Sequence, residues 1–192
     1  MKELEYLAKR AYPQDKKNVY IDIDLDMYTD LYEEWDFSPQ KKRDLDEDLY
    51  EYLIECSREI PLKRKVIIRM HLPAKIENGE KEKNAVSGIK RYFGYRYQKN
   101  GYLRKKSLRS LAGYGSFGLI FLTTGAFIQK LLSDSPFSSI LYEGLIIGGW
   151  VLFWECFDIV FFKDAFHRET LKHLKRLIKA EIRFEYHTGK PV

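Results

Sequence analysis

Ser110–Gln129 runs for twenty residues without a charged side chain. A helix that long, rising 1.5 Å per residue, matches the ~30 Å hydrocarbon core of a bilayer. Gly144–Phe162 is a second apolar stretch of nineteen residues, carrying two acids, Glu155 and Asp158, in its later part. Charged residues crowd 1–109 and 163–192 instead, so a mean hydropathy of −0.43 averages two unlike parts. The pattern implies a membrane protein divided into three regions. Residues 1–109 form a cytoplasmic α+β domain ending in a juxtamembrane basic helix. Residues 110–162 form a two-helix transmembrane hairpin, and 163–192 a cytoplasmic amphipathic helix with a closing strand. Met1–Lys17 has no continuous apolar core, so no signal peptide is expected and the first span directs insertion.

Lysine and arginine set the orientation. Lys90, Arg91, Arg96, Lys99, Arg104, Lys105, Lys106 and Arg109 precede the first span in a segment without acids. Lys163, Arg168, Lys172, Lys175, Arg176 and Lys179 follow the second, whereas the connecting loop offers Lys130 against Asp134 and Glu143. The positive-inside rule then puts both termini in the cytoplasm, on an inner or plasma membrane. The net charge of +5 is concentrated where anionic headgroups attract basic side chains by about 1 kcal/mol each. Arg104, Lys105, Lys106, Arg109 and Lys163 are therefore candidate anionic-lipid contacts, and nucleic acid is not an expected partner.

The soluble part reads as a small mixed sheet with strands from both chain ends. In Asn18–Asp26, Val19, Ile21, Ile23 and Leu25 alternate with Tyr20, Asp22, Asp24 and Asp26, which predicts a strand with one acidic face. Ser38-Pro39 offers an N-cap and first-turn proline for an amphipathic helix that Pro61 ends. Lys65–Leu72 alternates again, with Lys65, Arg69 and His71 on its polar face. Gly88, Gly94 and Gly101 weaken the following helix enough to predict a kink or break. Met1–Tyr12 is compatible with a short helix. Asp164–Ala180 is basic and amphipathic, and Glu181–Tyr186 alternates as a strand expected to rejoin the first two.

Several constellations could carry chemistry. Asp22, Asp24 and Asp26 share a strand face, but same-face neighbours are about 7 Å apart, too far to grip one cation unaided. Cross-strand pairing with Lys65, Arg69, His71 and Arg183 accounts for both charge sets, so no metal is expected. Tyr28–Phe37 interleaves Tyr28, Tyr32, Trp35 and Phe37 with acids, either as a lid on the sheet or as a ligand-binding lip. Glu155 and Asp158 share a helix face with Gly144 and Gly148, while Gly115, Gly118 and Gly125 line the first span. Small residues let membrane helices approach closely. An acid in a span costs roughly 2.5–3.5 kcal/mol at its centre. It is therefore expected to line an oligomeric pore, to bind back to Arg104 or Lys105, or to be protonated between helices. Cys56 and Cys156 read as two small buried hydrophobes.

The segments IDIDLDMY (Ile21–Tyr28), GWVLFWECFD (Gly149–Asp158) and AEIRFEY (Ala180–Tyr186) resemble an uncharacterised family of small prokaryotic two-span membrane proteins with an N-terminal α+β domain. The resemblance implies the architecture and a bacterial or archaeal membrane, and it implies no activity. The sequence holds no P-loop, GxSxG, HExxH or glycine-rich dinucleotide turn, and His71, His167, His173 and His187 lack metal spacing. Neither an enzyme nor a cofactor is expected. The reading is a self-associating, membrane-anchored binding or sensory module, with a homo-oligomeric ion channel conducting past Glu155 and Asp158 as the alternative.

Overall fold

A computed structural model describes residues 5, 6, 8, 11–15, 17–39, 42–131 and 136–188. Three strands, β1 (Asn18–Asp24), β2 (Lys65–Pro73) and β3 (Glu181–His187), form one sheet in the order β1-β2-β3. Both pairings are parallel, so the sheet is not mixed. Parallel neighbours need crossovers rather than tight turns. Helix α1 (Glu47–Glu59) supplies the first. The second is everything between β2 and β3: α2 (Gly79–Leu131), α3 (Pro136–Asp158), a π-helical turn at Ile159–Lys163 and α4 (Asp164–Lys179). The apolar helices are thus inserted into a β-to-β connection, and the closing strand does return to the sheet.

The chain divides into two compact units, one of residues 1–98 with 170–192, the other of residues 99–169. The second unit takes in more chain at each end than the apolar stretches alone, and the Arg104–Asp164 and Lys163–Asp158 pairs lie within it. In the first unit, Val19, Ile21 and Ile23 of β1 join Val66, Ile68, Met70 and Leu72 of β2 in one core. Leu53 and Ile54 of α1, Ile89 and Phe93 of α2, and Leu174 and Leu177 of α4 close it. Asp46 caps α1, accepting from the Leu49 amide at 2.9 Å, and Asn78 caps α2, accepting from Lys81 at 3.0 Å. Arg96 of α2 forks onto Glu47 at the start of α1 (2.8 and 2.9 Å) with its guanidinium 3.9 Å from the Tyr50 ring centre.

Three expectations change. Helix α1 begins at Glu47 rather than behind Ser38-Pro39, because Leu45 is held in an antiparallel bridge with Tyr32 that a helix would break. Helix α2 runs unbroken through Gly88, Gly94 and Gly101, since Ala85, Ile89, Tyr92 and Phe93 pack into the core and outweigh the glycine propensity cost. Glu143, assigned to a loop, lies within α3, and Asp134 falls among residues 132–135, outside the described residues. Of the short helix expected over Met1–Tyr12, positions 5, 6, 8 and 11 are helical, and residues 1–4, 7, 9 and 10 lie outside the described residues.

Among the described residues two helices are long and apolar enough to cross a membrane, and only 11% of an eighteen-residue apolar window in each is buried within the chain. Phe117, Ile120 and Phe127 on α2 and Ile140, Trp150 and Trp154 on α3 are all more than half exposed. An apolar surface of that extent marks contact with something other than water.

Candidate functional site

Ion pairs of the second unit's charged side chains lie where α3 passes into α4. A π turn closes i→i+5, which carries Lys163 back over the residue five before it. Lys163 Nζ lies 2.6 Å from Asp158 and 3.7 Å from Glu155. Glu155 and Asp158 therefore pair with Lys163, and not with Arg104 or Lys105. Arg104 Nε instead donates to Asp164 Oδ1 at 2.6 Å, and Arg168 holds the other carboxylate oxygen. Asp164 follows the π turn within a helix that continues from α3, its amide bonded to the Ile159 carbonyl, and its side chain is 6% exposed. The bond from Arg104, assisted by Arg168, holds this carboxyl below the usual range against the opposing effect of burial.

Beside the Lys163 clamp lies a cavity of about 250 Å³, lined by Lys106, Lys163 and His167, the hydroxyl residues Ser107, Ser110 and Tyr114, and Glu155. His167 Nδ1 is shielded from solvent and has no hydrogen-bond partner among the described residues. Lys105 and Arg109 are exposed. Of the expected lipid contacts, Lys106 and Lys163 thus share a cavity, whereas Arg104 is committed to Asp164.

Glycines mediate the approach of α2 and α3, along a stripe shifted from the expected one. A Cβ on Gly118 would meet Phe153 at 3.2 Å and the Gly149 carbonyl at 3.3 Å, and Gly125 abuts Leu145 and Ile146. Gly115 faces Cys156, and Gly148 faces Phe121. Gly144 has open space around it. The tightest contact is at Gly149, which the spacing argument passed over: a Cβ there would lie 2.6 Å from Leu122 Cδ2. Gly149→Ala should therefore destabilise the unit by about 2 kcal/mol through overpacking. Gly144→Ala, whose methyl meets nothing, should be neutral or stabilising. Thermal unfolding of both variants in one detergent is the comparison.

The aromatic segment does not assemble a lip. Tyr28 and Tyr32 are core residues, each 5% exposed, with the Tyr28 hydroxyl 2.6 Å from that of Tyr186. Trp35 and Phe37 are exposed. The strand acids form a cross-strand ladder. Arg69 forks onto Asp22 (2.6 and 2.8 Å) and His71 Nε2 is 3.0 Å from the same carboxylate. Burial alone would raise the Asp22 carboxyl, but Arg69 and His71 hold it below its ordinary value. Asp24 lies 3.5 Å from His187, and Asp26 is exposed. Among the described residues no cluster of three or more His, Cys, Asp or Glu is placed to hold a metal.

One cluster was not read from the sequence. Ser57, fully buried, bonds to His173 Nδ1 at 3.0 Å and accepts from Arg176 Nη2 at 2.7 Å. Arg176 also donates to the Ile60 and Pro61 carbonyls (2.9 and 3.1 Å) and to that of Ser57. The Ser57 carbonyl lies in the last turn of α1 and those of Ile60 and Pro61 just beyond it, so the guanidinium caps the C-terminal end of the helix. Burial pushes Arg176 down to about 10. The only foresign is a polar residue on the apolar stripe of each helix. Comparison with known protein families, curated proteins and solved structures returns no match, which leaves the geometry of these residues as the basis for assigning a role.

Proposed function

We propose that the chain is an integral membrane protein in which α2 and α3 cross the bilayer as a hairpin and anchor a cytoplasmic parallel-sheet domain that self-associates. The observation that carries this is the apolar surface of α2 and α3, exposed along two helices of spanning length and bordered by basic clusters. Lysine and arginine asymmetry supports an orientation with both termini on the cytoplasmic side. Carbonate-resistant retention in membranes tests the anchoring, and full extraction by carbonate would refute it.

As a binding module it takes an anionic lipid headgroup in the cavity around Lys106 and Lys163. The Lys106 ammonium, an imidazole nitrogen without a partner and three hydroxyls suit a phosphate where α2 meets the bilayer, with Lys163 offsetting the charge of Glu155 in the same lining. The pore alternative needs Glu155 and Asp158 available to a passing cation, and Lys163 already lies on both. Native mass spectrometry after exchange into micelles with equal phosphatidylglycerol and phosphatidylcholine is the test. Wild type should retain phosphatidylglycerol preferentially. Lys106→Gln, which leaves the Lys163 clamp alone, should lower that preference about fivefold, from roughly 1 kcal/mol per basic residue. Equal retention of both lipids by wild type would defeat the headgroup assignment.

A further inference from the structure

The sheet has two edges, and they are treated differently. Along β1, residues 13–15 run alongside, with Gln14 bridging Val19 and the Tyr20 amide donating to the Pro13 carbonyl at 2.9 Å. Among the described residues no strand pairs with the outer edge of β3. That edge borders an open groove of about 610 Å³, lined by Ile182–Glu185 on one side and Glu82, Lys83 and Val86 of α2 on the other. Glu181–His187 contains no proline, and its charges, Glu181, Arg183 and Glu185, are of both signs, so they oppose pairing only in a register that sets like charges across from each other. A seven-residue strand with an unpaired edge is a template for a strand whose charges complement it.

The sequence of β3 identifies which strand fits. Antiparallel pairing of EIRFEYH with itself, centred on Phe184, sets Arg183 opposite Glu185, Ile182 opposite Tyr186, and Glu181 opposite His187. Directly opposed side chains share one face of a sheet. The apolar pairs would therefore lie on the face where Ile182, Phe184 and Tyr186 already pack against the core, and the charged pairs on the other. Every opposition is favourable: two opposite charges, two apolar groups, an acid against an imidazole. His187 Nδ1 has no hydrogen-bond partner among the described residues, and Nε2 lies 3.5 Å from Asp24. Arg183 is paired across β2 with Arg69, a like charge, and turns back to Glu181 in its own strand (2.7 Å). A second β3 would give Arg183 a carboxylate directly across.

We infer that two copies of this chain associate through β3, forming a continuous six-stranded sheet with two-fold symmetry. The occupant is self because the complementarity is a property of the strand paired with itself, as an isologous interface requires. The inference deepens the self-association in the proposed function and rests on that part alone, not on membrane anchoring.

Arg183→Glu and Glu185→Arg decide it, as full-length chains in neutral detergent read by native mass spectrometry. Each variant alone places like charges opposite in both symmetric pairs, and should dimerise about tenfold or more weakly than wild type. Mixed in equal amounts, each pair becomes Glu opposite Arg, and the heterodimer should recover the wild-type dimer fraction. Variants that dimerise as well as wild type, a mixture that stays monomeric, or a monomeric wild type would each overturn the interface. Should either variant lose its fold by circular dichroism, hydrogen exchange of wild type is read instead. Protection of residues 181–187 that rises with protein concentration supports the interface, and concentration-independent exchange overturns it. Carbonate extraction of the same membranes reports on anchoring separately.

Discussion

Arg176→Ala is expected to cost the sheet unit about 3 kcal/mol, the largest loss from any single polar side chain in it. The Ser57 carbonyl in the last turn of α1 faces Pro61, which has no amide hydrogen to offer, and one guanidinium supplies bonds to it and to the Ile60 and Pro61 carbonyls just beyond the helix. Removing it leaves Ser57, which is fully buried, with a carbonyl lacking this donor and a hydroxyl bonded to His173. Arg176→Lys should recover less than half of the loss, because a single ammonium cannot reproduce a planar fork that reaches several acceptors. Arg176→Met keeps the stem but no donor, and should resemble alanine. Denaturant unfolding of the three variants, followed by far-ultraviolet circular dichroism, separates lost packing from lost bonding. If methionine restores stability and lysine does not, packing of the stem is the cause and the capping account fails.

How much of this could be read in advance depends on the range of the interaction. Alternation of Val19, Ile21 and Ile23 and of Ile182, Phe184 and Tyr186 is local, and it placed β1 and β3 within a residue or two. The Asp22–Arg69 pair was legible too, since opposite charges on facing strands announce one another. Parallel pairing throughout was not, because alternation alone carries no strand direction. The start of α1 was obscured by Ser38-Pro39, a sound local cap signal outweighed by the Tyr32–Leu45 bridge. Lys163 was missed as the clamp because a regular α-helix does not bring i+5 back over i, and the π turn has no sequence signature. Gly149 was passed over because the stripe was counted back from Glu155, an acid that faces Lys163 rather than the helix contact. Ser57 and His173 are 116 residues apart in sequence, beyond any spacing rule.

Asp164→Ala is expected to loosen the second unit by about 2 kcal/mol, less than the roughly 3–5 kcal/mol for breaking a fully buried pair. The discount follows from the partners. Arg104 and Arg168 side chains are 35% and 57% exposed, so both can turn to water once the carboxylate is gone. The lost bonds nevertheless join α2 to the first turn of α4. The pH dependence isolates the charge. Asp164 titrates below the ordinary carboxylate value in the folded protein, so unfolding raises its proton affinity. Its contribution is complete above the unfolded carboxylate value, near pH 4, and disappears as pH falls through the folded one. Wild type should therefore lose its advantage over Asp164→Asn in acid, with the two melting temperatures converging below about pH 4. An advantage that persists undiminished at pH 2 would mean that Asp164 acts by shape rather than charge, and the link between Arg104 and α4 would have to be reassigned.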